Sequence, residues 1–515
     1  MNLYSIQFVL FLLIVFICYY TVCKEKQWIC LLVANMVFYF WTGSINMIFI
    51  LVTSASTWIG SRYFQKCTDD YKAIKKNTDI TPEEKKRQKK MYDRRKQIFF
   101  WGVICLNFGI LGYLKYWKVL TGSAAGLLLP LGISFYTFQS IGYLIDTYNG
   151  KYESEGNFFK YLTFVSFFPQ LIQGPINRYD AMGSQISAKH TFEVERTKRA
   201  LLQIGFGTLK KYAIANLTAE MVSLLLDKPE RNYPGCIIVF GILLYSLQQY
   251  ADFSGGIDMV LGVAKLFGIE MKPNFRQPYF ATSLADFWRR WHISLGNWMR
   301  DYVFYPFALT KPIKNLGKWS NKKFGKHIGR VLPAALGNVL VFFLVGLWHG
   351  AQWNYIFWGL YNGVVIAVSD FLAPVYAWLN AKLHINTESK IFHLFQIART
   401  FIVVNIGWYF DRIESMDNLW RYVRNTLFYF GAYRFNTVRA SVFINIPVRT
   451  YGVVALASLI VLVNSILCEQ DKDVYALIHR KNILVRWGLY LVMIFLILMS
   501  FTCTTATGGF MYANF

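Results

Sequence analysis

Nine long stretches of this 515-residue chain carry no Asp, Glu, Lys or Arg, and that property limits its folds more than any motif does. They are Leu3–Cys23, Gln27–Ser61, Gln97–Leu114, Val119–Ile145, Tyr161–Asn177, Gly235–Ala251, Val331–Ser369, Tyr451–Cys468 and Trp487–Phe515. A helical bilayer crossing takes about 20 apolar residues, so each run supplies one crossing and the longer ones two. Lipid offers backbone amides no partner, which leaves helices as the spanning structure for such runs. With 55% of residues hydrophobic and 16% charged, the chain reads as an all-α polytopic membrane protein. It has roughly eleven spans by this count. The first run lacks a basic leader and a small-residue cleavage pattern, and reads as a retained span.

A formal charge of +25 raises the question of nucleic acid, but the basic residues fall between spans and no recognition module accompanies them. Membrane topology accounts for them. The segment Arg62–Lys96 holds thirteen Lys or Arg against six Asp or Glu, which makes it a cytoplasmic loop. Counting back through the earlier spans places Lys24–Lys26 inside and the N-terminus outside, and the tail beyond Arg480, Lys481 and Arg486 is also expected outside. Lys189–Lys211 and Lys311–Arg330 read as further basic loops, touching anionic headgroups or docking an acidic cytoplasmic partner. The eight cysteines form no C-x-x-C pair and read as small buried hydrophobes.

Several apolar segments contain helix breakers: Leu129–Tyr136 with Pro130 and Gly132, Phe168–Gln170 followed by Gly174-Pro175, and Pro273–Tyr279. Irregular backbone at membrane depth is tolerated only inside protein or beside a wet cavity, so an irregular interior is expected between Tyr250 and Gly350. Absence of a fixed repeat disfavours a transporter built from inverted halves.

That interior holds two tryptophan-histidine pairs, Phe287-Trp288-Arg289-Arg290-Trp291-His292 and Leu347-Trp348-His349-Gly350. A histidine closing a span-length run must meet water or a protein partner. The bland alternative makes His292 one polar residue of an interfacial helix over Asp286–Arg300, and His349 a structural histidine. Asp252 follows directly on the run Gly235–Ala251, and a carboxylate there needs a cation: Arg276, Arg289, Arg290 or Arg300 is the expected partner. Two imidazoles without a Ser-Asp triad, an H-E-x-x-H or a phosphate loop point to acyl transfer, one removing a hydroxyl proton and the other donating to the carbonyl. No metal site is expected, since His190, His327, His384, His393 and His479 show no ligand spacing. A transporter or flippase, and a scaffold for an extracytoplasmic transferase, are the rival classes.

The ordered stretches Leu129–Phe138, Phe168–Pro175, Asp252–Gly255, Asn274–Tyr279, Phe287–Leu295 and Gly346–Gly350 resemble those of membrane-bound O-acyltransferases. The similar branch contains the alginate O-acetylation membrane subunits and the teichoic-acid D-alanylation membrane protein. The resemblance implies a ring of tilted helices around a central tunnel, with re-entrant and interfacial helices. It implies a core over 1–390, including the basic 62–96 segment, with further spans over 391–515. It implies His349 and His292 as catalytic residues. Trp348, Trp288, Arg289, Arg290, Asp252, Ser254, Asn274 and Gln277 are the expected tunnel and substrate contacts. An acyl thioester donor, acetyl-CoA or an acyl carrier protein's phosphopantetheine, and an SGNH-type or small membrane relay partner outside the cell are also implied. The expected activity is transfer of acetyl to an extracytoplasmic polysaccharide or relay partner from a multi-pass protein of the bacterial cytoplasmic membrane, with D-alanyl transfer to teichoic acid the alternative. Two positions depart from the pattern: Gly256 stands where relatives carry Tyr, and Tyr305–Arg330 is longer and more basic.

Overall fold

The computed structural model describes residues 5–121 and 129–503. The extreme N-terminus, the stretch 122–128 and the end of the C-terminal tail (504–515), whose sidedness the sequence addresses, lie outside the described residues. Among the described residues the regular structure is helical, with one isolated β-bridge. Seven helices are long and apolar enough to cross a membrane, or eight if Trp353–Phe371 and Ala373–Lys382, bent by 52°, form one broken span. Two shorter apolar helices, Ile6–Tyr20 and Gln27–Thr42, fall where the first two crossings are expected. The chain is a multi-pass membrane protein.

It divides into two compact units. The first, Met1–Leu202 with Val260–Lys272, contains α1 (Ile6–Tyr20), α2 (Gln27–Thr42), α3 (Met47–Lys76), α4 (Pro82–Thr121), α5 (Ile133–Tyr148) and the short α6 (Phe158–Val165), α7 (Phe168–Gln173) and α8 (Tyr179–Ser187). The 62–96 segment is not a loop: α3 and α4 continue into it as a helical hairpin. At its turn Thr81 caps α4, Pro82 takes the first helical position and Glu83 and Glu84 occupy the first turn, where the helix dipole favours carboxylates. Two of the proline-glycine motifs meet here. Gly132, at φ 72°, lies where a Cβ would stand 2.5 Å from the Leu171 carbonyl oxygen, and a Cβ on Gly174 would come within 3.1 Å of the Phe135 ring. Missing side chains let α5 and α7 approach that closely.

The second unit, Gln203–Met259 with Pro273–Met511, holds the rest. The Lys189–Lys211 segment is largely helical, α9 (Val194–Leu209) passing through a π-helical stretch Lys210–Asn216 into α10 (Leu217–Leu226). α11 (Gly235–Leu266) is regular well past Tyr250, so the irregular backbone begins only after Leu266. The expected interfacial helix over Asp286–Arg300 is broken into α12 (Leu284–Arg290) and α13 (Ile293–Met299), because the backbone of Trp291–Ile293 engages the 274–276 strand of chain instead of continuing its own ladder. α14 (Tyr305–Ala308), α15 (Lys311–Phe324) and α16 (Lys326–His349) follow, so Lys311–Arg330 is helical as well. α17 (Trp353–Phe371) packs tightly on α16. A Cβ on Gly359 would stand 2.3 Å from the Phe342 carbonyl oxygen, and one on Gly346 2.5 Å from that of Tyr355. α18 (Ala373–Lys382), α19 (Lys390–Arg412), α20 (Met416–Phe428), α21 (Phe435–Val442), α22 (Val448–Glu469), α23 (Val474–His479) and α24 (Ile483–Phe501) complete it.

Candidate active site

His292 occupies the break between α12 and α13 in the left-handed region, φ 48° and ψ 51°. A non-glycine residue held there reflects surroundings that over-determine it. The surroundings are the Asn274–Arg276 segment: Ile293 N–H donates to the Asn274 carbonyl at 3.0 Å, Arg276 N–H to that of Arg290 at 3.0 Å, and Phe275 and Trp291 form the β-bridge. The Asn274 side chain is fully buried and its Oδ1 accepts from Ser294 N–H at 2.8 Å. That backbone donor orients the amide, so Nδ2 donates to His292 Nδ1, 3.2 Å away. Nδ1 is therefore the acceptor, and the proton of the neutral ring sits on Nε2. Burial pushes the imidazole down to about 3 from its ordinary 6.5, so the ring is a neutral Nε2–H donor.

His349 is the last residue of α16 and is buried. Its ring lies 5.0 Å from Trp348, 4.8 Å from Trp358 and 5.9 Å from Tyr355. Trp348 also lies edge-on to His292 at 6.1 Å, and Phe253 closes the other side of His292 at 4.8 Å. Both imidazoles thus pack on one indole. The array continues through Trp358 to Trp288 at 5.4 Å, whose Nε1–H donates to Asn362 Oδ1 at 3.0 Å. Gly350 admits a close neighbour: a Cβ there would stand 2.7 Å from the Tyr355 ring.

The expected arginine partner of Asp252 is replaced by a lysine. Lys211, from the π-helical stretch, forms a short ion pair with Asp252, both side chains almost fully buried. Next to it Lys210 Nζ lies 2.5 Å from Asp258 and 3.1 Å from Ser254 Oγ. The reason is a close helix crossing: Cβ atoms on Gly207 and Gly255 would stand 2.5 and 2.9 Å from each other's carbonyl oxygens, which brings the lysines onto α11. The arginines pair elsewhere, Arg276 with Asp471, Arg300 with Asp301, and Arg289 with Asp286. Arg290 bonds Asp286 at 3.0 Å and both carboxylate oxygens of Glu469, at 2.9 and 2.8 Å. Asp252 and Ser254 are thus held in buried polar pairs, Arg289 is exposed, and Gln277 is half-buried. Trp358, Asn362 and the two lysines were not singled out in the sequence. Lys210-Lys211 between apolar Gly205–Leu209 and Tyr212–Ala215 is the one signal that marks them.

A multi-pass helical membrane protein with two imidazoles on one aromatic wall defines the class, and the sequence model of the membrane-bound O-acyltransferase (MBOAT) family matches residues 37–320, so the chain belongs to that family. His292 lies in the matched range and His349 beyond it. The chain is 31% identical to the probable alginate O-acetylase AlgI of Pseudomonas syringae pv. tomato, over 86% of this chain and 77% of that protein. It is 31% identical to a peptidoglycan O-acetyltransferase of Helicobacter pylori over 61% of each chain. A teichoic acid D-alanyltransferase of Bacillus subtilis is 30% identical over 54% of this chain and 67% of its own. The chain is an acyltransferase.

Proposed function

We propose that this enzyme moves an acetyl group from a cytoplasmic thioester to a hydroxyl on an extracytoplasmic polysaccharide or relay partner, with His349 as general base and His292 as the donor to the carbonyl oxygen. The observation that carries the reading is the packing of both rings on Trp348, one of them an Nε2–H donor fixed by Asn274. His349 takes the proton of the acceptor hydroxyl as its oxygen bonds the thioester carbonyl carbon. His292 Nε2–H stabilises the oxyanion that develops. Collapse breaks the carbon–sulfur bond, and the departing thiolate takes the proton back from His349. Arg289 and Arg290 lie among charged partners and act as electrostatic contacts for an anionic donor, coenzyme A or a carrier protein's phosphopantetheine.

The second unit's helix ends support a sidedness. Arg412 pairs with Asp227, Gly235 N–H with the Tyr429 carbonyl, and Arg449 with that of Thr502, which gathers these residues at one end. Arg290 with Glu469 and Arg276 with Asp471 gather at the other, close in sequence to Arg480, Lys481 and Arg486. His327 lies 3.3 Å from the Phe371 carbonyl, and Arg289 acts on the neighbouring Asp370, so the seven basic residues of Lys311–Arg330 belong with the second end; together with Arg480, Lys481 and Arg486 they outnumber the six arginines over 412–449, and the positive-inside rule supports a cytoplasmic second end. This supports acceptor entry from the Arg412 end.

The test is acyl transfer in vesicles loaded with acetyl-CoA or acetylated carrier protein on the cytoplasmic side. His349→Ala, still folded in the membrane, should lose about a hundredfold or more of the rate. Unchanged transfer removes His349 from the chemistry; D-alanyl in place of acetyl on the product assigns the other acyl group; and translocation without any acyl donor favours a flippase.

A further inference from the structure

At the Arg412 end of the second unit, α20 and the turn after it form a groove of about 710 Å³ with the Asn232–Pro234 loop. Three guanidinium groups line it, Arg421, Arg424 and Arg434, and its lining contains no Asp or Glu. Among the described residues none of the three lies within ion-pair distance of a carboxylate, and the nearby Asp227 is engaged by Arg412. Exposed aromatic rings stand beside them: Tyr433 is 89% and Phe428 75% accessible. Unlike a flexible charged patch, the frame is tied down. Asn425 Nδ2 donates to Asn232 Oδ1 and to the Tyr233 carbonyl, both at 2.9 Å, and Gly235 and Cys236 N–H donate to the carbonyls of Tyr429 and Phe430 at 3.0 and 2.9 Å. Arg424 lies over the Tyr429 ring at 5.3 Å and bonds its hydroxyl at 3.2 Å, which leaves the rest of its fork to face the groove.

We infer that this groove is a binding site for an anionic polysaccharide chain, holding the acceptor polymer on the extracytoplasmic side at a place separate from the reacting histidines. The chemistry of the lining selects that ligand. Planar guanidinium forks match carboxylates, the exposed rings of Phe428 and Tyr433 match the apolar faces of pyranose rings, and the Tyr433 hydroxyl matches a ring hydroxyl. The volume is within the range of built ligand sites and exceeds the needs of a single anion. The inference rests on the proposed sidedness and acceptor class, and binding is measured without catalysis so that the two stand or fall separately.

The experiment uses the full chain in phosphatidylcholine nanodiscs, with a galacturonic-acid hexamer and maltohexaose as probes. The uronate hexamer should bind and maltohexaose should bind at least about tenfold more weakly, with the difference shrinking at high salt. The triple variant R421Q/R424Q/R434Q should weaken hexamer binding by about tenfold or more, and Tyr433→Ala, at a fully exposed position, should weaken it without touching the fold. His349→Ala should bind the hexamer like the parent protein. Equal binding of the neutral and charged hexamers overturns the proposal. So does hexamer binding indifferent to both the arginine and tyrosine changes, or arginine-dependent capture of phosphatidylglycerol or an acidic protein with no hexamer binding. Loss of acyl transfer in otherwise normal protein with hexamer binding intact leaves this site standing and counts against the catalytic reading alone.

Discussion

His292 draws its role from one neighbour. Because Ser294 N–H fixes the Asn274 amide, the tautomer of the ring is set by the protein's own bonds, and His292→Gln, which retains an N–H donor, should keep part of the transfer rate where His292→Leu keeps none. The same ring predicts a pH effect. Its folded value near 3 lies below the ordinary 6.5, so between those values the unfolded chain binds a proton that the native protein excludes. Stability therefore falls as pH drops from about 6.5 towards 3, and His292→Gln should flatten that decline in thermal denaturation of the purified protein. The acid limb of the transfer rate above pH 5 should survive the same change, since His292 does not titrate there. Its disappearance would give the base role to His292. At this scale the sequence marked both Trp-His pairs, and Asn274 through its Asn-Phe-Arg-Gln-Pro setting, and the structure brings both imidazoles onto Trp348 with Asn274 bonded to one of them. The tautomer was not legible, because it depends on the Asn274 side chain eighteen residues away and on the backbone amide that orients it.

Among the elements, the crossing of α11 by the π-helical stretch was the least legible feature. Lys210 and Lys211 end a basic-looking segment, and their charge argues for solvent; only the glycines Gly207 and Gly255 make room to bury them. The expectation of an arginine for Asp252 failed because salt-bridge choice follows helix contact, which a linear pattern does not carry. Lys211→Met should strand a buried carboxylate and cost about 3–5 kcal/mol, read as a large drop in the unfolding temperature. Adding Asp252→Asn to Lys211→Met should recover most of it. A double variant no more stable than the single one would show that Asp252 is not charged in the native protein. The break between α12 and α13 was similarly invisible, since Asp286–Arg300 has the composition of one amphipathic helix. Tertiary bonds to Asn274 and Arg276 overrule that local preference.

For the whole molecule, composition and uncharged runs carried the class, while the orientation read from charge asymmetry is a proposal. Placing single cysteines at Tyr433 and at Arg480 in a background without native cysteines tests the orientation: a membrane-impermeant maleimide on intact cells should label the first and spare the second. The reverse pattern would turn the second unit over and move the proposed acceptor entry to the other face. The number of crossings was less legible than their existence, because α1 and α2 are short and α17 with α18 is bent, and length alone cannot say how such helices meet a bilayer.

The seam between α16 and α17 has a further consequence. Since Gly346 and Gly359 already bring the two backbones into touch, the helix carrying His349 and the helix carrying Trp358 have no slack to part. Under the proposed mechanism the room for an acyl tail beside His349 is then set by ring volume, so that shaving Trp358 to Leu should admit longer chains at the expense of acetyl.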